Sequence, residues 1–143
     1  MPFKFEKLEV WQVALDYSDL IYEIAGQLPK SEEANLTSQI VRAATSVALN
    51  IAESTTSQTD VEKARFLGLA IRSVLETVAC QHIISRRGFL RDSAPLRQAY
   101  KDAVNLAGML QAMRDALTPK QAWIREETVD YQGVSVLDDE DEA

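Results

Sequence analysis

The residue types that most often build an active site are nearly absent from this 143-residue chain, which has one cysteine, Cys80, and one histidine, His82. One cysteine makes no intrachain disulfide, and with a single histidine it falls short of a four-ligand zinc site. A di-iron bundle needs a Glu-x-x-His pair on each of two helices, and the chain has none. Neither GxGxxG nor GxxxxGK[ST] occurs, so no phosphate-cradling loop is indicated. Glycine (five) and proline (four) are scarce, which favours long, uninterrupted helices. No apolar run approaches the ~20 residues of a membrane span, and Met1-Pro2-Phe3-Lys4 is not the start of a signal peptide's apolar core. These absences lead to the expectation of a soluble, cytoplasmic protein with no membrane segment, metal or cofactor, and with no enzymatic activity.

What remains has a globular balance, 46% hydrophobic and 26% charged. The length suits one domain that can bury a core without staples. Cys80 lies in an apolar stretch and reads as a small buried hydrophobe. The formal net charge of −7 is unevenly spread. From Thr118 onward there are 2 basic and 8 acidic residues, against 13 and 14 before it. Within the body, residues 1–62 carry 4 basic and 10 acidic side chains, whereas residues 63–101 carry 8 and 2. Opposite signs on different segments give a polar surface that can steer self-assembly or an anionic partner.

Apolar spacing predicts four helices and no strand. The first covers about 8–28, with Leu8, Trp11, Leu15, Ser18, Tyr22 and Ala25 as its stripe and Pro29 as its stop. The second covers 32–54, capped by Ser31, with Leu36, Ile40, Ala43, Val47 and Ile51 facing inward and the polar run from Ser54 to Thr59 as a turn. The third covers 60–87, where Thr59 and Glu62 suit a capping box and Gly88 a C-terminal cap. Its inward residues are Phe66, Leu67, Ala70, Val74, Val78 and Ile83. The fourth covers 94–117, with Pro95 in its first turn and Leu96, Tyr100, Ala103, Leu106, Leu110, Met113 and Leu117 on one face. Short connections between helices of this length favour an antiparallel, up-down-up-down four-helix bundle over residues 1–117. The acidic stretch 118–143 reads as a flexible tail.

Two groups of polar residues stand out. Arg42, Ser46, Asn50 and Glu53 form a line on the second helix, and Arg72, Ser73 and Glu76 lie on the third. Facing each other, they could pair Arg42 or Arg72 with Glu53 or Glu76. Such a network can fix helix register or a subunit contact, or it can hold a ligand or nucleic acid. The second group is basic: Arg86, Arg87, Arg91, Arg97 and Lys101, around the turn between the third and fourth helices. It reads either as a solvated bundle end pairing with acidic segments or as a phosphate-binding patch, for which arginine's bidentate fork is suited. Aromatic residues among these cations are few, so base stacking has little support in the sequence.

The run QIVRAATSVALNIAES, residues 39–54, resembles the signature of the four-helix-bundle family first named for proteins encoded in intervening sequences of 23S ribosomal RNA genes. FEKLEVWQVALDYSDLIYEIAGQLP (5–29) is similar to that family's first helix, and RFLGLAIRSVLETVAC (65–80) to its third. The chain departs from the pattern at Ser54 and Arg72, where the family usually has glycine. The resemblance implies an antiparallel bundle, often assembled as a homopentameric barrel, with no known enzymatic activity. A related branch, the accessory variability proteins of diversity-generating retroelements, binds nucleic acid and a reverse transcriptase. Gln39, Arg42, Asn50, Glu53, Ser73 and Glu76 are the positions that match the family motif. The expectation is therefore a non-enzymatic oligomer that contacts RNA or DNA through the basic patch. The alternative is a protein–protein assembly module, including a reverse-transcriptase accessory subunit, with no nucleic-acid contact.

Overall fold

The computed structural model describes residues 1–117. Among these residues there is no strand. Four long helices form: α1 (Glu9–Gly26), α2 (Ser38–Thr56), α3 (Asp60–Arg87) and α4 (Ala94–Leu117). A 3-10 turn, Lys4–Lys7, precedes α1, and a 3-10 turn (Lys30–Glu32) followed by a π-helical turn (Glu33–Thr37) leads into α2. The fold is all-α and consistent with a four-helix bundle, since each helix packs on the next and α1 closes against α4. The expected acidic tail over 118–143 lies outside the described residues.

Local chemistry accounts for most helix ends. Thr59 Oγ1 accepts the Glu62 N–H at 3.2 Å and opens α3. Gly88, at φ +66°, closes it, its N–H reaching the carbonyls of Ile84 and Ser85. Asp92 Oδ1 accepts the Ala94 N–H at 2.9 Å and starts α4. Both helices keep their expected bounds. α1 is shorter than expected, because Leu8 stays extended and the Gln27 and Leu28 N–H groups tighten onto carbonyls three residues back, at 3.0 and 3.2 Å.

α2 departs furthest from expectation. Ser31 sits within the 3-10 turn rather than capping the helix, and the regular helix begins only at Ser38, after the π turn. At its other end the polar run extends the helix to Thr56 instead of ending it. Ser54, Thr55, Thr56 and Ser57 each donate a hydroxyl to a carbonyl three or four residues back, at 2.6–3.1 Å. These bonds satisfy last-turn carbonyls that would otherwise need water.

The core confirms some stripes and rotates others. On α2, Leu36, Ile40, Ala43, Val47 and Ile51 are all buried, as expected. On α1 the buried set is Val10, Ala14, Tyr17, Ile21, Ile24 and Ala25. The expected line through Leu8, Trp11 and Leu15 is only partly buried, and Tyr22 is 54% exposed. α1 has two apolar stripes, and packing against α2 and α4 selects the one with the smaller polar content. On α3, Ile83 is exposed and Thr77, Cys80, Gln81 and Ile84 take the inner face; on α4, Tyr100 is exposed and Ala99 is buried. By length and composition α3 could cross a membrane, but its inner stripe of Leu67, Ala70, Val74 and Ile84 packs in the bundle core.

At one end of the molecule Leu8, Ser54, Leu67 and Met113 border a cavity of about 450 Å3 rimmed by Lys4, Lys7 and Lys63. Residues next to α1 and α3 starts thus meet residues near α2 and α4 ends.

Candidate functional site

The two polar groups picked out in the sequence occupy different places. On α2, Gln39 Nε2 donates to Asn35 Oδ1 at 2.9 Å, and Arg42 Nη2 to Ser38 Oγ at 3.2 Å, so both are engaged within their own helical segment. One turn on, Asn50 Nδ2 donates to the carbonyl and hydroxyl of Ser46 at 2.9 and 3.0 Å, and Ser73 Oγ on α3 donates to the same Ser46 hydroxyl at 2.9 Å. The bridge between the helices is therefore serine to serine. It takes the place of the arginine–glutamate pairing that the spacing allows. Two small side chains let α2 and α3 approach closely, whereas long charged ones turn outward to water.

Ser46, Asn50, Arg72, Ser73 and Glu76 line a groove of about 540 Å3, with Leu69 and Leu75 beside them. Glu53, by contrast, lies at the end of α2, where its carbonyl accepts from Thr56 and Ser57. Leu75, in the wall of this polar groove, is 58% exposed, and Leu49, next to Asn50 in the sequence of α2, is 62% exposed.

The basic group gathers at the α3–α4 corner. Gly88 ends α3, and Arg86, Arg87, Arg91, Arg97 and Lys101 are all exposed. Asp92, the acid in this stretch, caps α4. Ser93 Oγ accepts from Arg97 Nη1 at 2.6 Å and orients that guanidinium.

A third polar cluster was not legible from the sequence. Tyr17, Thr77 and Gln81 are buried between α1 and α3. Gln81 Nε2 donates to Tyr17 Oη at 2.7 Å, Tyr17 Oη and Thr77 Oγ1 lie 2.7 Å apart, and Thr77 Oγ1 donates to the Val74 carbonyl at 2.5 Å. A carbonyl only accepts, so the chain has one direction: Gln81 to Tyr17, Tyr17 to Thr77, Thr77 to Val74. Gln81 Oε1 is left buried without a hydrogen-bond partner. Burial pushes the Tyr17 phenol up to about 12 despite these bonds. Burial likewise raises the Cys80 thiol, with the Glu76 charge adding to it, which keeps that sulfur protonated and inert. The available sequence signal was Thr77 and Gln81 four residues apart within an otherwise apolar helix face.

Over the described residues the chain is an all-α arrangement of four packed helices, with a serine-bridged polar groove on one pair and an exposed arginine corner on another. The chain belongs to the family of 23S rRNA-intervening sequence proteins, whose family model matches residues 6–112. A solved structure of similar fold is a protein of unknown function from the S23 ribosomal protein family of Bacteroides thetaiotaomicron. It has a TM-score of 0.67 and 20% identity, covering 73% of this chain and 97% of that one. At that identity the likeness speaks for the fold alone. No curated protein matches the sequence.

Proposed function

We propose that this protein is a non-enzymatic, homo-oligomeric bundle of alternately up and down helices that binds nucleic acid through the α3–α4 corner. One observation carries the nucleic-acid reading: five exposed cations lie within residues 86–101, and the intervening Asp92 is committed to capping α4. Contacts of this kind are led by phosphate. The up-and-down arrangement is supported by the cavity where residues at α1 and α3 starts meet those near α2 and α4 ends. Self-association is supported by the exposed apolar side chains of Leu75, in the α2–α3 groove, and of Leu49 on α2, and the family resemblance implies a five-membered ring. The non-enzymatic reading is supported by the exposed carboxylates of Glu53 and Glu76 and by the buried Cys80 thiol.

Fluorescence anisotropy with a structured RNA across a salt series tests this reading. Affinity falls steeply with salt, and replacing Arg86, Arg87 and Arg91 by alanine lowers the log–log slope by about one per lost contact. Absence of binding even at low salt rejects it. A second reading, an assembly module that contacts another protein such as a reverse transcriptase, is favoured by the same exposed leucines. It predicts that binding to that protein survives the triple arginine variant and is lost when Leu49 and Leu75 are made polar.

A further inference from the structure

The α3–α4 corner carries a recess as well as a charged surface. A cavity of about 410 Å3 opens between the last turns of α3 and the first turns of α4. Its wall includes groups that phosphate attraction alone does not require. Arg97 and Lys101 lie one helical turn apart on α4, with Arg97 held by Ser93. His82 and Tyr100 meet edge to face, with ring centroids 6.1 Å apart and planes at 77°. Tyr100 is 48% exposed, so much of its ring is open to a ligand. Leu96 adds an apolar surface.

Gln81 also lines this recess, although it is only 4% exposed. The one-way hydrogen-bond chain to Val74 commits its amide nitrogen to Tyr17, so its oxygen cannot be turned to that partner. The Oε1 atom is thus a buried acceptor with no partner, on a residue that lines a cationic recess with aromatic sides. Buried acceptors are almost always satisfied, and a missing donor is costly.

We infer that this recess is a nucleotide subsite that takes one unpaired base of a single strand. Arg97 and Lys101 hold the phosphate, the base stacks on Tyr100 beside His82, and an N–H group of the base donates to Gln81 Oε1. This assignment rests on the nucleic-acid reading above and gives it a preference: a base splayed out of a strand fits the recess, whereas a paired base is withheld inside its helix.

The test uses the full chain and calorimetric titration with adenosine monophosphate, ribose 5-phosphate, an unstructured oligoribonucleotide and a blunt RNA duplex of equal length. Adenosine monophosphate is expected to bind roughly tenfold more tightly than ribose 5-phosphate, the scale of one base–aromatic stack. The single strand is expected to outcompete the duplex. Tyr100→Ala narrows the gap between the two small ligands and weakens the single strand while leaving duplex binding unchanged, and Gln81→Met, which removes the acceptor together with the amide that donates to Tyr17, weakens the monophosphate and the single strand but not ribose 5-phosphate or the duplex. Arg97→Ala with Lys101→Ala weakens every ligand. Should Gln81→Met fail to fold, Tyr100→Ala, at an exposed position, decides alone. Equal affinity of the intact protein for the two small ligands, or a monophosphate affinity indifferent to Tyr100→Ala, overturns the subsite. Duplex binding without monophosphate binding rejects the subsite and leaves the surface-patch reading standing. Monophosphate binding with neither RNA retained supports the subsite, as a site for a free nucleotide, and rejects the nucleic-acid reading.

Discussion

At the scale of single residues, the Tyr17 phenol ties α1 to α3. It is 2% exposed, accepts from Gln81 and donates toward Thr77. Its ionisation is raised by burial from 10.0 to about 12. The neutral ring is the form that folds well. Below pH 10 both states hold the proton and stability is intact. Between pH 10 and 12 the unfolded chain releases the proton and the folded chain keeps it, so stability falls as pH rises. The loss reaches about 2–3 kcal/mol by pH 12. Tyr17→Phe leaves Gln81 Nε2 and Thr77 short of a partner and is expected to cost about 1–3 kcal/mol at pH 7. The variant also loses this share of the alkaline slope. Urea unfolding from pH 7 to 11.5 measures both effects, and parallel slopes for the two proteins would show that the phenol titrates normally.

At the scale of elements, two glycines should respond in opposite directions to the same substitution. Gly88 adopts φ +66° at the end of α3, a conformation that disfavours any Cβ even though the space around it is open. Gly88→Ala is expected to destabilise the protein by about 1 kcal/mol and to loosen the turn that assembles the arginine corner. Gly108 lies inside α4, and a Cβ there meets nothing within 4 Å. Gly108→Ala is expected to stabilise by roughly 0.5–1 kcal/mol through reduced freedom of the unfolded chain. Calorimetric melts that shift both variants the same way would contradict the assigned conformations. The helix ends that were legible in the sequence, at Thr59, Gly88 and Pro95, are those governed by a local side chain or dihedral. The polar run from Ser54 to Thr59 reads as a turn, yet its first residues extend α2, because serine and threonine serve equally well in turns and in last-turn back-bonding, and sequence alone does not distinguish the two.

At the scale of the whole molecule, the arginine corner and the exposed leucines of α2 and α3 occupy different stretches of the chain. The arginine corner sits at the α3–α4 connection, whereas Leu75 lines the α2–α3 groove and Leu49 lies on α2. A protein that assembles through one and binds an anion through the other keeps its cations free in the oligomer. Light scattering of the intact protein is expected to give five copies of the 16.0 kDa chain. Leu49→Glu with Leu75→Glu is expected to yield smaller species of unchanged helicity, because both side chains lie more than half in water in the single chain. An unchanged mass places the self-association surface elsewhere.

Four helices, an α-only fold and the identity of the basic stretch are consequences of spacing, composition and local caps, which act within a few residues along the chain. Which of the two apolar stripes of α1 turns inward was decided by its neighbours, since both Leu8-Trp11-Leu15 and Val10-Ala14-Tyr17 satisfy the same period. The Ser46–Ser73 bridge, the Tyr17–Thr77–Gln81 chain and the meeting of His82 with Tyr100 likewise belong to tertiary structure. Their members are 27, 60, 64 and 18 positions apart, and hydrogen bonds or ring contacts a few ångströms long form only once packing fixes the rotation of every helix about its axis.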